Sequence, residues 1–215
     1  MKKQTKRQFT LAICLLVSFA LWTALVCLVD VQPIGPMGSA VGLATVNGWF
    51  HKLTGVHMSL YVLTDLLSLI PIGIALWFAA LGAYQWIKRK KLLAVDTDVL
   101  LLGRFYAATV LAYLFFEGFV VNVRPILIEG MTEASYPSST TVLVLCILST
   151  AIMQARARIQ NQFLRNVIVT SAVAFAAFMV IARTVCGVHW LTDIVGGILL
   201  SAGLVTAYRS FCHFS

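Results

Sequence analysis

Arg183, His189 and Asp193 stand within eleven positions, in the run Ala182-Arg183-Thr184-Val185-Cys186-Gly187-Val188-His189-Trp190-Leu191-Thr192-Asp193, between two long apolar stretches. Ionisable groups at membrane depth are costly, so three close together mark a functional site by default. If the chain is helical near His189, Asp193 lies one turn on along the same face. A carboxylate there can hold one imidazole N–H, fix the tautomer and leave the other nitrogen with its lone pair. Arg183 supplies a planar fork whose donors match phosphate oxygens. The combination suits attack on phosphorus by a histidine.

That run resembles the third signature of the type 2 phosphatidic acid phosphatase (PAP2) superfamily: Arg, five residues, His, three residues, Asp. The second signature, usually Pro-Ser-Gly-His or Pro-Ser-Ser-His, corresponds to Pro137-Ser138-Ser139-Thr140. The first, Lys, six residues, Arg-Pro, corresponds to Glu117 through Arg124-Pro125. Two residues depart from the pattern, Thr140 where a His belongs and Glu117 where a Lys belongs. The resemblance spans about residues 60–208 and implies an all-α, PAP2-like bundle. The implied activity is hydrolysis of a membrane lipid phosphate or diphosphate, without metal or cofactor. By the same resemblance Arg124, Arg183, Ser138 and Ser139 hold the phosphate. His189 becomes phosphorylated and Asp193 supports it, with Thr140 and Glu117 as possible accessory residues. Those two departures also motivate a second reading, a family member that binds lipid phosphates without turning them over.

Composition narrows the classes independently. The chain has 215 residues, 60% hydrophobic and only 11% charged, with a mean hydropathy of +0.91. A soluble domain carries about a quarter charged residues, so this is an integral membrane protein. Its formal net charge of +8 then reflects orientation in the bilayer rather than nucleic-acid binding. The five cysteines, at 14, 27, 146, 186 and 212, have no metal or disulfide spacing.

Six stretches are long enough to cross about 30 Å of hydrocarbon: residues 9–29, 59–87, 99–123, 136–155, 166–182 and 188–208. Six crossings place 13 of the 16 Lys and Arg on one side, leaving only Lys52, Arg124 and Arg183 on the other. Both termini are then cytoplasmic, in a cell membrane. All three signatures gather at the extracytoplasmic ends of spans three, four and six. The outer loop 30–56 has room for a short helix within residues 39–52, with Trp49 and Phe50 as interfacial anchors. It reads as a passive interfacial loop, with a lid over the site as the alternative.

Individual polar residues carry further expectations. Ser138 and Ser139 follow Pro137 at a helix start, where free N–H groups make an anion site. Glu117 is expected two turns deeper than Arg124, in an ion pair with Arg124 or Arg183, the other reading being a protonated donor. Asp65, Lys52, Asn122, Glu129 and Glu133 are expected to be solvated. The outer side shows no convergent carboxylates of the kind a two-metal site requires. A polyprenyl diphosphate, a phosphatidic acid or a phosphatidylglycerol phosphate would all present a head group at this depth.

Overall fold

In a bilayer every backbone N–H and C=O must be satisfied within the chain, so a long apolar run folds as a helix. The computed structural model describes residues 2–212 and is nearly all helical. Its α-helices are α1 (Lys2–Leu28), α2 (Ala44–Thr54), α3 (Met58–Leu67), α4 (Leu69–Arg89), α5 (Thr97–Gly118), α6 (Ser139–Arg158), α7 (Gln162–Val185) and α8 (Leu191–Phe211). Helices α3 and α4 together make one span, Met58–Arg89, and with α1, α5, α6, α7 and α8 they give six helices apolar enough to cross. The break between α3 and α4 at Ser68 has a cause in Pro71: it lacks the N–H that would reach the Leu67 carbonyl, and its ring crowds that oxygen.

Helices α6 and α8 form the centre, with α1 and α7 packed against them. The core joins Phe19 and Val26 of α1, Phe78 of α4, Leu102 and Phe105 of α5, Cys146 of α6, and Leu200 and Tyr208 of α8. Outward-facing side chains such as Leu21, Leu76, Trp77, Leu111 and Ile181 remain exposed, as they should where the solvent is lipid. At the end away from the signatures, polar side chains lock the helices. Arg158 reaches Gln154 at 2.7 Å and Asp98 at 2.5 Å, and Gln154 donates to the Tyr208 hydroxyl at 3.3 Å.

Two segments differ from the expected spans where it matters. α5 ends at Gly118 rather than continuing to residue 123, because Phe119 leaves helical geometry (φ −103°, ψ 82°). The chain then runs into a small hairpin in which Val123 faces Ala134 and Ile128 faces Met131. Arg124 N–H donates to the Glu133 carbonyl at 2.9 Å. Glu117 therefore sits in the last turn of α5, not two turns deep in a continuing helix. α6 starts at Ser139, so the second signature straddles the helix start, with Tyr136-Pro137 in cis before it.

The loop 30–56 is seated on the bundle. Gly42 lies so close to α1 that an added Cβ would fall 1.5 Å from the Val26 carbonyl oxygen. Asn47 of α2, fully buried, clasps the start of α8: it accepts from Thr192 N–H at 3.2 Å and donates to Thr192 Oγ1 at 2.9 Å.

Candidate active site

The third signature is bent into place by Gly187. Its φ of +74° is left-handed, and a Cβ there would fall 2.0 Å from the Gly55 carbonyl oxygen, so neither the backbone nor the space admits a side chain. The turn 186–190 brings His189 back under α8. Asp193 is the third residue of that helix, and its Oδ2 accepts the Trp190 N–H at 2.9 Å. It therefore caps the helix start and faces the histidine at once. His189 Nδ1 lies 3.7 Å from Asp193 Oδ2, too long for a hydrogen bond but close enough to orient and stabilise charge. Both residues are buried, and neither ring nitrogen of His189 has a hydrogen-bond partner. Burial pushes the His189 pKa down to about 4; Asp193 opposes that shift, while Arg124 and Arg183 reinforce it. The ring is thus neutral at physiological pH, the state a nucleophile needs.

Arg183, in the last turn of α7, is 1% exposed and heavily engaged. Its Nη2 donates to Thr140 Oγ1 at 2.6 Å and lies 3.5 Å from Asp65 Oδ1. Its Nη1 donates to Thr64 Oγ1 at 3.1 Å, and the guanidinium sits 4.8 Å from the Tyr61 ring centroid. Arg124 approaches the same ring at 5.7 Å. Its Nε is 2.9 Å from Glu133 Oε2, a charge contact without hydrogen-bond alignment, and its Nη1 is buried with no hydrogen bond.

Ser138 is fully buried. Its N–H donates to the Asp193 carbonyl at 3.0 Å, which ties the second signature to the third. Its hydroxyl accepts from Thr141 at 3.0 Å and does not cap α6, so the first-turn N–H groups of α6 are free of a side-chain cap. Ser139 and Thr140 line a cavity of about 380 Å³ with Asp65, Glu117, Phe116, Val142, Leu143 and Leu200. His189 and the two arginines are not among its lining residues; it meets the cluster through Thr140 and Asp65, both of which touch Arg183.

The sequence-predicted residues thus converge at one end of the bundle, with three corrections. Glu117 makes no ion pair with Arg124 or Arg183, because α5 ends one residue after it and leaves it exposed at the cavity edge; Arg124 pairs with Glu133 instead. Asp65 and Glu133 are not simply solvated, since each carboxylate faces one arginine. Asn122 is 1% exposed and donates to Asp193 Oδ1 at 3.2 Å. Tyr61, Thr64, Asn47 and Thr192 were also missed as neighbours of the site. Nothing in the sequence marked Asn122, which falls inside the run 99–123 expected to be helical.

Residues 101–214 match the family model described as the PAP2 superfamily. The chain belongs to the PAP2 superfamily. A solved PAP2 structure shares its fold: the first transmembrane PAP2-type phosphatidylglycerolphosphate phosphatase from Bacillus subtilis, with a TM-score of 0.56. Identity is 18%, over 95% of this chain and 98% of that one. No curated protein sequence matches the chain. PAP2 membership accounts for the order of the three signatures along the chain, and the six apolar helices make it an integral membrane protein.

Proposed function

We propose that the protein hydrolyses a lipid phosphate or diphosphate at the extracytoplasmic face of the cell membrane, through a phosphohistidine on His189. The observation that carries this reading is a buried, neutral imidazole with Nδ1 facing a carboxylate and Nε2 unengaged, beside two arginines. Arg124, Arg183, the Ser138 and Ser139 hydroxyls and the start of α6 hold the phosphoryl oxygens and stabilise their charge in the transition state. The Nε2 lone pair attacks phosphorus in line as the bond to the leaving oxygen breaks. Asp193 stabilises the imidazolium that forms. Water then attacks the phosphohistidine, the P–N bond breaks, and inorganic phosphate leaves with the imidazole neutral again. The lipid chain stays in the bilayer or enters the cavity beside Thr140.

The orientation follows from the distribution of Lys and Arg, 13 of 16 on the side of both termini. The solved relative is a phosphatidylglycerolphosphate phosphatase; a phosphatidylglycerol phosphate, a phosphatidic acid and a polyprenyl diphosphate all carry the group this site would hold. Specific contacts favour one other reading. Thr140, whose hydroxyl accepts from Arg183, stands where the family has a histidine, and Glu117 pairs with neither arginine, as in a phosphate binder that has lost turnover. Phosphate release from lipid substrates by the purified protein separates the two. Release that disappears in His189→Ala supports the enzyme, and tight lipid binding with no release supports the binder.

A further inference from the structure

The Asp193 carboxylate has two oxygens, and different parts of the chain hold them. Oδ2 takes the Trp190 N–H at 2.9 Å and faces His189 Nδ1 at 3.7 Å. Oδ1 takes the side-chain amide of Asn122 at 3.2 Å. We propose that Asn122 is a positioning residue of the site: by holding Oδ1 it fixes the carboxylate so that Oδ2 meets the nucleophile. The proposal rests on the reading of His189 as the attacking residue.

The amide is oriented from both sides. Its Oδ1 accepts the Gly42 N–H at 3.3 Å, and its Nδ2 also lies 3.5 Å from Thr192 Oγ1. A flipped amide would set an oxygen against the Asp193 carboxylate and an NH2 group against the Gly42 N–H, losing both bonds. The main chain of Asn122 is held as well, its carbonyl accepting Ser135 N–H at 3.0 Å and Ser135 Oγ at 3.2 Å.

The residue type suits the task. A buried carboxylate needs donors, or it protonates. A lysine there would compete with the imidazolium for Asp193, whereas a neutral amide supports the charge and does not titrate. Asn122 also stands two positions before Arg124 on an extended segment, so one short piece of chain delivers both a phosphate ligand and the amide that sets the histidine's partner. Through Gly42, the outer loop is hydrogen-bonded to this arrangement.

The test is a double-mutant cycle on the purified full-length chain in detergent, with phosphate release from a short-chain prenyl diphosphate and from dioctanoyl phosphatidic acid. Asn122→Ala is expected to lower kcat about 10–100-fold, the effect of losing one hydrogen bond to a charged group, with little change in KM. In an Asp193→Ala background the same substitution should cost less than about 3-fold, because Asn122 acts only through Asp193. Equal losses in both backgrounds, or a loss confined to KM, would overturn the proposal. Nitrogen-15 NMR of histidine-labelled protein, with the His189 signals identified by their loss in His189→Gln, reads the same question without turnover. A single Nδ1–H tautomer is expected in the wild type and a tautomer mixture in both Asn122→Ala and Asn122→Asp. The second variant is nearly isosteric and keeps the acceptor for Gly42. If the wild type releases no phosphate, the phosphatase reading falls, and an unchanged His189 tautomer in both variants overturns the positioning role separately.

Discussion

Thr140 stands where the family's second signature has a histidine, and its hydroxyl is spent accepting from Arg183 at 2.6 Å. A threonine cannot protonate a leaving alkoxide near neutral pH, and general acid catalysis is typically worth about 10²–10⁴-fold. An alcohol leaving a monoester needs that proton far more than a phosphate leaving a diphosphate, whose second pKa is near ~6. If the protein turns lipid phosphates over as proposed, it should act faster on lipid diphosphates than on phosphatidic acid, and Thr140→His should raise monoester hydrolysis the more. Equal rates on the two substrates, unchanged by the substitution, would contradict this. His189 makes a pH prediction. With its pKa lowered to about 4 by burial, the imidazole stays neutral, and if His189 attacks as proposed kcat/KM keeps its acid limb near pH 4 rather than near ~6.5. In Asp193→Asn, with residual turnover, the limb should move lower still, since the carboxylate raises that pKa. Between pH 6.5 and 4 the unfolded imidazole binds the proton and the folded one does not. Stability is therefore full above ~6.5 and falls by on the order of 3 kcal/mol as the pH drops through that window, which denaturation at pH 7 and pH 4.5 would register. Arg183, His189 and Asp193 were legible because their spacing is local. Asn122, Glu133 and Asp65 were not, because what buries or pairs them is a hairpin and a helix break that no periodicity announces.

At the scale of elements, apolar runs of about 20 residues made all six spans readable, since the bilayer enforces helix wherever they occur. Their ends were harder. Phe116 to Val123 stays apolar apart from Glu117, Gly118 and Asn122, yet α5 stops at Gly118 and the hairpin begins, its strands paired through Val123 with Ala134 and Arg124 with Glu133. The outer loop likewise looked like a passive connection, whereas Asn47, Gly42 and Gly187 lock it onto the bundle. Gly187→Ala tests that lock. A left-handed alanine costs about 1–3 kcal/mol, and the clash with Gly55 forces the loop outward. A fall of several degrees in thermal midpoint, with activity lost in parallel, is expected; an unchanged midpoint would show that the loop is not seated as described.

For the whole molecule, the charge distribution predicts both termini inside and residues 30–56, 124–135 and 183–189 outside. A cysteine placed at 130 in a Cys-free background should react with an impermeant reagent on intact cells; reaction only after the cells are broken would invert the topology. The bundle is closed by its outermost members in sequence, α1 lying along α8. Trp22 Nε1 donates to the Thr192 carbonyl at 3.1 Å, Thr23 meets the Tyr136 hydroxyl at 2.8 Å, and Phe9 packs edge-on to Phe211 with centroids 6.4 Å apart. Of the six spans, α1 is translated first and its partner last. During synthesis Trp22 has no Thr192 carbonyl to donate to until α8 is made, and Asn47 has no Thr192 to clasp. The segment that closes the bundle onto α1 is thus also the one that delivers Asp193, so the site and the contacts that hold the bundle shut are completed together.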